Sequence, residues 1–172
     1  MATGDTYTLH DGEEVTVKTS TAELLALDAV WAPLDIKPFE HLHPNQDECF
    51  HVHEGELTIA LGDHQHVLRP GDWLEVPRGV THSMWNSTGT PTRATWEVRP
   101  ALRTESFFRS VHELRAAGHA GKHGMITPLA AGAVLRAFRD ELRLPVPRPL
   151  EGAAVRLLGA LGRLRGYRTV TA

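Results

Sequence analysis

The sequence is poor in the features that mark secreted, membrane-embedded or fibrous chains. It holds a single cysteine, Cys49, so no intramolecular disulfide can form, which agrees with a reducing compartment. No run approaches the roughly 20 apolar residues that cross a bilayer. Residues 1–11 are polar and acidic where a secretory signal would be basic and then apolar, so cytoplasmic residence is the expectation. Aromatic residues are only 6% of the 172, and neither a fixed-period repeat nor a low-complexity tract is present. What is left, 41% hydrophobic and 23% charged, has the composition of an ordinary globule. Its length allows one good core and a small appendage.

Charge divides the chain near Pro100. Residues 1–100 carry 6 Lys/Arg against 16 Asp/Glu, whereas residues 101–172 carry 12 against 5. The cations of the second part are spread along helical sequence rather than massed, which argues against nucleic acid and for docking of a basic segment on an acidic one.

Hydrophobic period divides it at the same place. From Tyr7 to Val98, short alternating runs are separated by Gly55, Gly62-Asp63, Pro70-Gly71, Pro77 to Gly79 and Thr88 to Pro91, the pattern of an all-β sandwich or barrel. Strands are predicted at Tyr7–Leu9, Val15–Lys18, Leu24–Ala32, Glu48–His53, Leu57–Leu61, His66–Leu68, Trp73–Val76, His82–Asn86 and Thr92–Val98. Beyond Pro100 the period becomes about 3.6. Thr104 reads as an N-cap, with Phe107, Phe108, Val111 and Leu114 on one stripe and Gly118 as the stop. Thr127-Pro128 starts a second helix whose apolar face runs to Leu142, and a third covers Leu150 to Leu164, ending at Gly166. The glycine-rich linker His119–Gly124 is expected to be mobile. The expected organisation is a β-domain over residues 1–100 and an α-helical extension over 101–172.

Chemistry concentrates in one constellation. In extended chain His41 and His43 point to one side about 6.6–6.8 Å apart, so two imidazoles can converge on an ion, and Glu48 can meet them from across a hairpin. Further on, Pro77 and Gly79 shape a turn, after which His82, Met84 and Asn86 share one strand face. These spacings resemble the two signatures of the cupin superfamily over roughly residues 24–98, with 15 residues between Gly55 and Gly71. One departure is Asp35, where the first signature opens on glycine.

The resemblance implies a cupin jelly-roll β-barrel, a mainly β fold here followed by the C-terminal helices. It also implies one divalent metal ion held by His41, His43, Glu48 and His82. Three imidazoles and a carboxylate suit Fe(II), Ni(II), Mn(II), Co(II), Cu(II) or Zn(II) and leave positions open for water or substrate. A cupin that has lost its metal, with these residues merely paired to one another, is the alternative. By strand parity Phe50, Met84, Asn86 and Trp96 point inward with the ligands, and Phe39 lies just ahead of His41. They form the candidate substrate pocket or simply fill the core, and Asn86 could equally tie down a turn. His51, His53, His64 and His66 read as surface residues, while His119 and His123 could swing over the barrel mouth.

Cupins with this ligand set often act as dioxygenases, so the expected activity is oxidation of a small aromatic, enol or diketone substrate, with Glu48 as a possible proton shuttle. A metal-dependent isomerase, cyclase or lyase is the second reading, and a non-enzymatic small-ligand binder the third. The expected partners are a small-molecule substrate and a second copy in a homodimer, without nucleic acid or membrane. The alternative for Leu150–Tyr167, which bears Arg156, Arg163, Arg165 and Arg168, is a helix lying on an anionic membrane.

Overall fold

The computed structural model describes residues 4–34 and 37–170, so Asp35 lies outside the described residues. Nine strands come first: β1 (Thr6–His10), β2 (Glu13–Ser20), β3 (Leu25–Trp31), β4 (Asp47–Glu54), β5 (Leu57–Leu61), β6 (His64–Leu68), β7 (Trp73–Val76), β8 (His82–Trp85) and β9 (Thr92–Arg99). Three helices follow: α1 (Thr104–Ala116), α2 (Pro128–Ala137) and α3 (Arg148–Leu164). Every strand pairing is antiparallel, in a six-stranded sheet ordered β1-β2-β3-β9-β4-β7 and a three-stranded sheet ordered β6-β5-β8.

Alternation decides which face each strand buries. Glu48, Phe50 and Val52 of β4 are buried, while His51 and His53 of the opposite parity are exposed. β9 sits between β3 and β4, with Trp96 opposite Leu27 on one side and Phe50 on the other. Phe50 therefore stacks on Trp96 at 5.3 Å between ring centroids, and Trp31 lies 6.3 Å from Phe50. Leu25, Leu27, Leu57 and Ile59 complete an interior from which water is excluded. Gly55 ends β4 with φ +73°, where a side-chain carbon would lie 2.5 Å from the Pro91 carbonyl oxygen, so no other residue fits that turn.

The helices pack on the β-domain through α1. Trp96 meets Phe108 at 5.3 Å, and the Glu105 carboxylate, buried at the barrel edge, accepts from Ser20 Oγ at 2.6 Å. A second small core joins Val111 and Leu114 to Ala130, Val134 and Phe138 of the α2 region.

Local details differ from the sequence expectations. Thr104 is the first helical residue rather than the cap, because its hydroxyl accepts from the buried amide of Gln46 at 2.7 Å. α2 stops at Ala137 and not near Leu142, since Phe138 turns out of helical geometry (φ −118°, ψ 42°). The segment His119–Gly124, expected to be mobile, is instead tied back. Ala120 bridges Ile126, Asp11 N–H donates to the His123 carbonyl, and His119 packs on Tyr167.

Candidate metal centre

Four side chains meet where three pieces of backbone converge. His82 opens β8, which pairs with β5, and its backbone bridges that of His41, with His82 N–H to the His41 carbonyl at 2.8 Å and the reverse at 2.9 Å. The His43 carbonyl accepts from Gly79 N–H at 2.8 Å, which docks the turn before β8 on the His41–His43 segment. Glu48 enters from β4. One ring nitrogen from each of His41, His43 and His82 falls within 4.8 Å of the other two. Glu48 Oε2 lies 2.8 Å from His82 Nε2 and 3.3 Å from His43 Nε2.

The other ring nitrogens face backbone. His43 Nδ1 is 2.5 Å from the Glu141 carbonyl, His82 Nδ1 is 3.1 Å from the Val80 carbonyl, and His41 Nδ1 is 3.4 Å from the Phe39 carbonyl. Carbonyls can only accept, so each Nδ1 carries hydrogen and each Nε2 is left with a lone pair for a cation. Glu48 is fixed in the same way, because Trp96 Nε1–H donates to Oε1 at 3.0 Å and leaves Oε2 toward the imidazoles.

That the residues fit a metal follows from what is left unsatisfied. His43 Nε2, His82 Nε2 and Glu48 Oε2 are buried and have no hydrogen-bond partner beyond their contacts with one another. Three such atoms turned toward one point would be costly in a protein core unless a cation completes them. Their protonation fits as well. Burial alone would raise Glu48, but the imidazoles of His43, His82 and His41 more than offset it and hold the carboxyl at about 2. Burial, reinforced by the neighbouring imidazoles, lowers His41 to about 3, so it is neutral at physiological pH. Burial opposes charge on His82, yet the Glu48 carboxylate outweighs this and its pKa is raised. Metal and proton therefore compete at His82.

Through His41 and His43 the centre borders a cavity of about 410 Å³ whose walls are almost wholly apolar. Phe39, His41, His43, Met84 and Trp96 line its barrel side. Phe39 is half exposed at the mouth, and Trp96 reaches both the cavity and Glu48. Phe50 and Asn86, expected in the pocket, do not line it. Phe50 is enclosed by the two tryptophans. Asn86 spends its amide on the Trp31 and Thr90 carbonyls and its oxygen on Thr88, so it ties down the turn before β9.

The far wall comes from the helical extension: Phe107, Phe108 and Val111 of α1, Ala131, Val134 and Leu135 of α2, and the flanking Met125, Ile126 and Leu142. Residues 138–144 cross the mouth, where Arg143 pairs with the backbone of Leu42 and Glu141 supplies the carbonyl behind His43. Arg103 clamps that crossing by donating to both carboxylate oxygens of Glu141 and to the Ala137 carbonyl. On the opposite rim, Glu13 and His10 form a partly buried pair at 3.1 Å. None of these residues was assigned to a site from the sequence. The Phe107–Phe108 doublet was a signal, since adjacent helical residues point about 100° apart and two phenylalanines widen the apolar face beyond one contact.

Comparison with known proteins places this architecture. Residues 30–97 match the family model described as "Cupin domain". Over that stretch the chain carries a cupin domain. Among solved structures its fold is similar to that of KdgF from Halomonas sp. (TM-score 0.53, 18% identity, covering 59% of this chain and 92% of that one). It is likewise similar to an RmlC-like cupin from Shewanella frigidimarina (TM-score 0.52, 20% identity, covering 59% and 88%). An oxidoreductase of Arthrobotrys oligospora is 41% identical over 54 residues, 31% of this chain and 21% of that protein. The matched segment spans less than half the length of each of the curated relatives, so the cupin resemblance is local to the β-domain. No helix among the described residues is long and apolar enough to cross a membrane.

Proposed function

We propose that this cupin is a metal-dependent oxidoreductase of the dioxygenase type, acting on a small apolar molecule that carries a chelating oxygen pair, as in an enol, a diketone or a catechol-like aromatic. The observation that carries the reading is a cluster of three imidazoles and one carboxylate with unpaired buried atoms, of which His41 and His43 line a large apolar cavity. His41, His43, His82 and Glu48 would hold a divalent ion such as Fe(II). That ion supplies Lewis-acid activation of the chelating oxygens and an electron partner for dioxygen. Both atoms of dioxygen enter the substrate in such a reaction, so no external reductant is required.

The chain's own groups do the rest. Phe39, Met84, Trp96 and the α1–α2 wall bind the apolar body and exclude water. Glu48, held at Oε1 by Trp96, could accept a proton at Oε2 from a substrate hydroxyl once that oxygen is released from the ion, and return it later. The local likeness to an oxidoreductase supports the redox reading.

The test is to load the purified protein anaerobically with Fe(II), then with Ni(II) or Mn(II), and follow oxygen uptake with catechols, diketones and flavonoids. Uptake with at least one pairing is expected, and its absence with every metal rules out the oxygenase reading. Enolisation or ring closure without oxygen would assign the same centre to isomerase or cyclase chemistry. His82→Ala is expected to lose stoichiometric metal by elemental analysis while keeping the β-rich circular dichroism spectrum. Activity that survives in that variant would make the metal a bystander.

A further inference from the structure

α3 contributes nothing to the cavity lining or the metal centre, yet its two sides are sharply sorted. Glu151, Val155, Gly159 and Gly162 are buried on the side that meets α2. A side-chain carbon at Gly159 would lie 2.9 Å from Arg136 Cδ, and one at Gly162 would lie 2.8 Å from the Leu129 carbonyl oxygen. Glycines thus let the two helices approach closely, and that approach fixes which side of α3 faces outward. The outward side carries Leu150, Leu157, Leu161 and Leu164, which are 66, 63, 42 and 84% exposed. At 3.6 residues per turn these leucines fall within an arc of about 60° and run about 21 Å along the axis. Ala153 and Ala154 widen the stripe.

The rim of this stripe is cationic. Arg156 and Arg163 lie on one flank and Arg165 on the other, all exposed. The sole carboxylate of the helix, Glu151, is buried and accepts from Leu144 N–H. Two occupants could cover such a face: a second copy or a lipid surface. Two-fold pairing through this face sets arginine rim against arginine rim whether the helices run parallel or antiparallel, and no carboxylate on the open side relieves it. An anionic bilayer meets both requirements, since leucines enter the acyl boundary while arginine stems lie along it and their heads reach phosphate. The excess of 12 Lys/Arg over 5 Asp/Glu in residues 101–172 adds to the attraction.

We propose that α3 is a membrane-surface helix, which lies flat on an anionic bilayer with Leu150, Leu157, Leu161 and Leu164 inserted and Arg156, Arg163 and Arg165 at the headgroups. The full chain is to be sedimented with vesicles of phosphatidylcholine alone and of phosphatidylcholine mixed with phosphatidylglycerol. Binding to the mixed vesicles, falling with added salt, is expected; equal binding to both, or to neither, overturns the proposal. Arg163→Gln is expected to weaken partition about five-fold. The triple variant Leu157→Ser, Leu161→Ser, Leu164→Ser should abolish partition while its melting temperature stays at the parent value, because these side chains touch solvent in the free protein. Light scattering in the absence of lipid supplies the other arm. A dimer that the triple variant dissociates, together with no vesicle binding, would assign the face to a second copy and overturn the lipid reading.

Discussion

His43, His82 and His41 each turn Nδ1 to a carbonyl, and Trp96 takes up one oxygen of Glu48, so the atoms that face the centre are those left over. The four side chains that meet here could be named in the sequence because cupin spacing is rigid: a two-residue step within extended chain and a hairpin leave little choice of face. Their orienting partners could not be named. The carbonyl behind His43 belongs to Glu141, 98 positions away, and no local pattern announces it. Asn86 shows the limit of parity, which puts a side chain inside without saying whether a ligand or a turn uses it. Trp96→Phe keeps the ring stack and removes the donor to Glu48. Metal affinity is expected to fall by about ten- to a hundred-fold, the usual effect of losing such an outer partner, with the β-rich circular dichroism spectrum retained. Titration with a fluorescent metal indicator would measure it, and unchanged affinity would show that Glu48 orients itself.

At the scale of elements, all nine strands were legible because alternation and turn residues agree with each other along residues 7–98. The end of α2 was not, since Phe138 and Leu142 continue its apolar period while the chain turns away to cross the barrel mouth. Two contacts between elements lend themselves to measurement. Gly132 of α2 would bring a side-chain carbon to 2.4 Å from Leu158 Cβ and 3.0 Å from the Leu158 carbonyl carbon. Gly132→Ala must therefore push α3 away, at a cost of about 1–3 kcal/mol read in thermal unfolding and as faster amide exchange in α3. Tyr7 joins β1 to α1, with its ring buried and its hydroxyl at Glu105 and Arg109. Burial raises its pKa despite the opposing pull of Arg109. The unfolded chain's tyrosine then ionises first, so this contribution is present below about pH 10 and is lost as the pH climbs through the folded value. Tyr7→Phe should flatten the alkaline arm of a stability–pH curve, and an arm of unaltered slope would count against the burial argument.

For the molecule as a whole, the extension is the roof of the cavity rather than an appendage, which the split in charge and period near Pro100 could not convey. Amphipathic faces show that helices dock but not what they dock over, because any apolar partner satisfies them. Ala131→Leu adds carbon to the α2 wall of the cavity. Metal content is expected to stay at the parent level, while turnover of flavonoid-sized substrates falls at least ten-fold relative to catechol-sized ones in paired assays. Equal losses for both sizes would mean that α2 does not define the binding space.

The family match ends at residue 97, whereas much of the chamber wall is built from residues beyond 100. Ancestry in this protein therefore forecasts the reagent and says little about its diet. Two cupins with the same four inward side chains and different helical lids would share a centre yet enclose differently shaped chambers. Grafting this lid onto another barrel would be a way to move a menu without touching the stove.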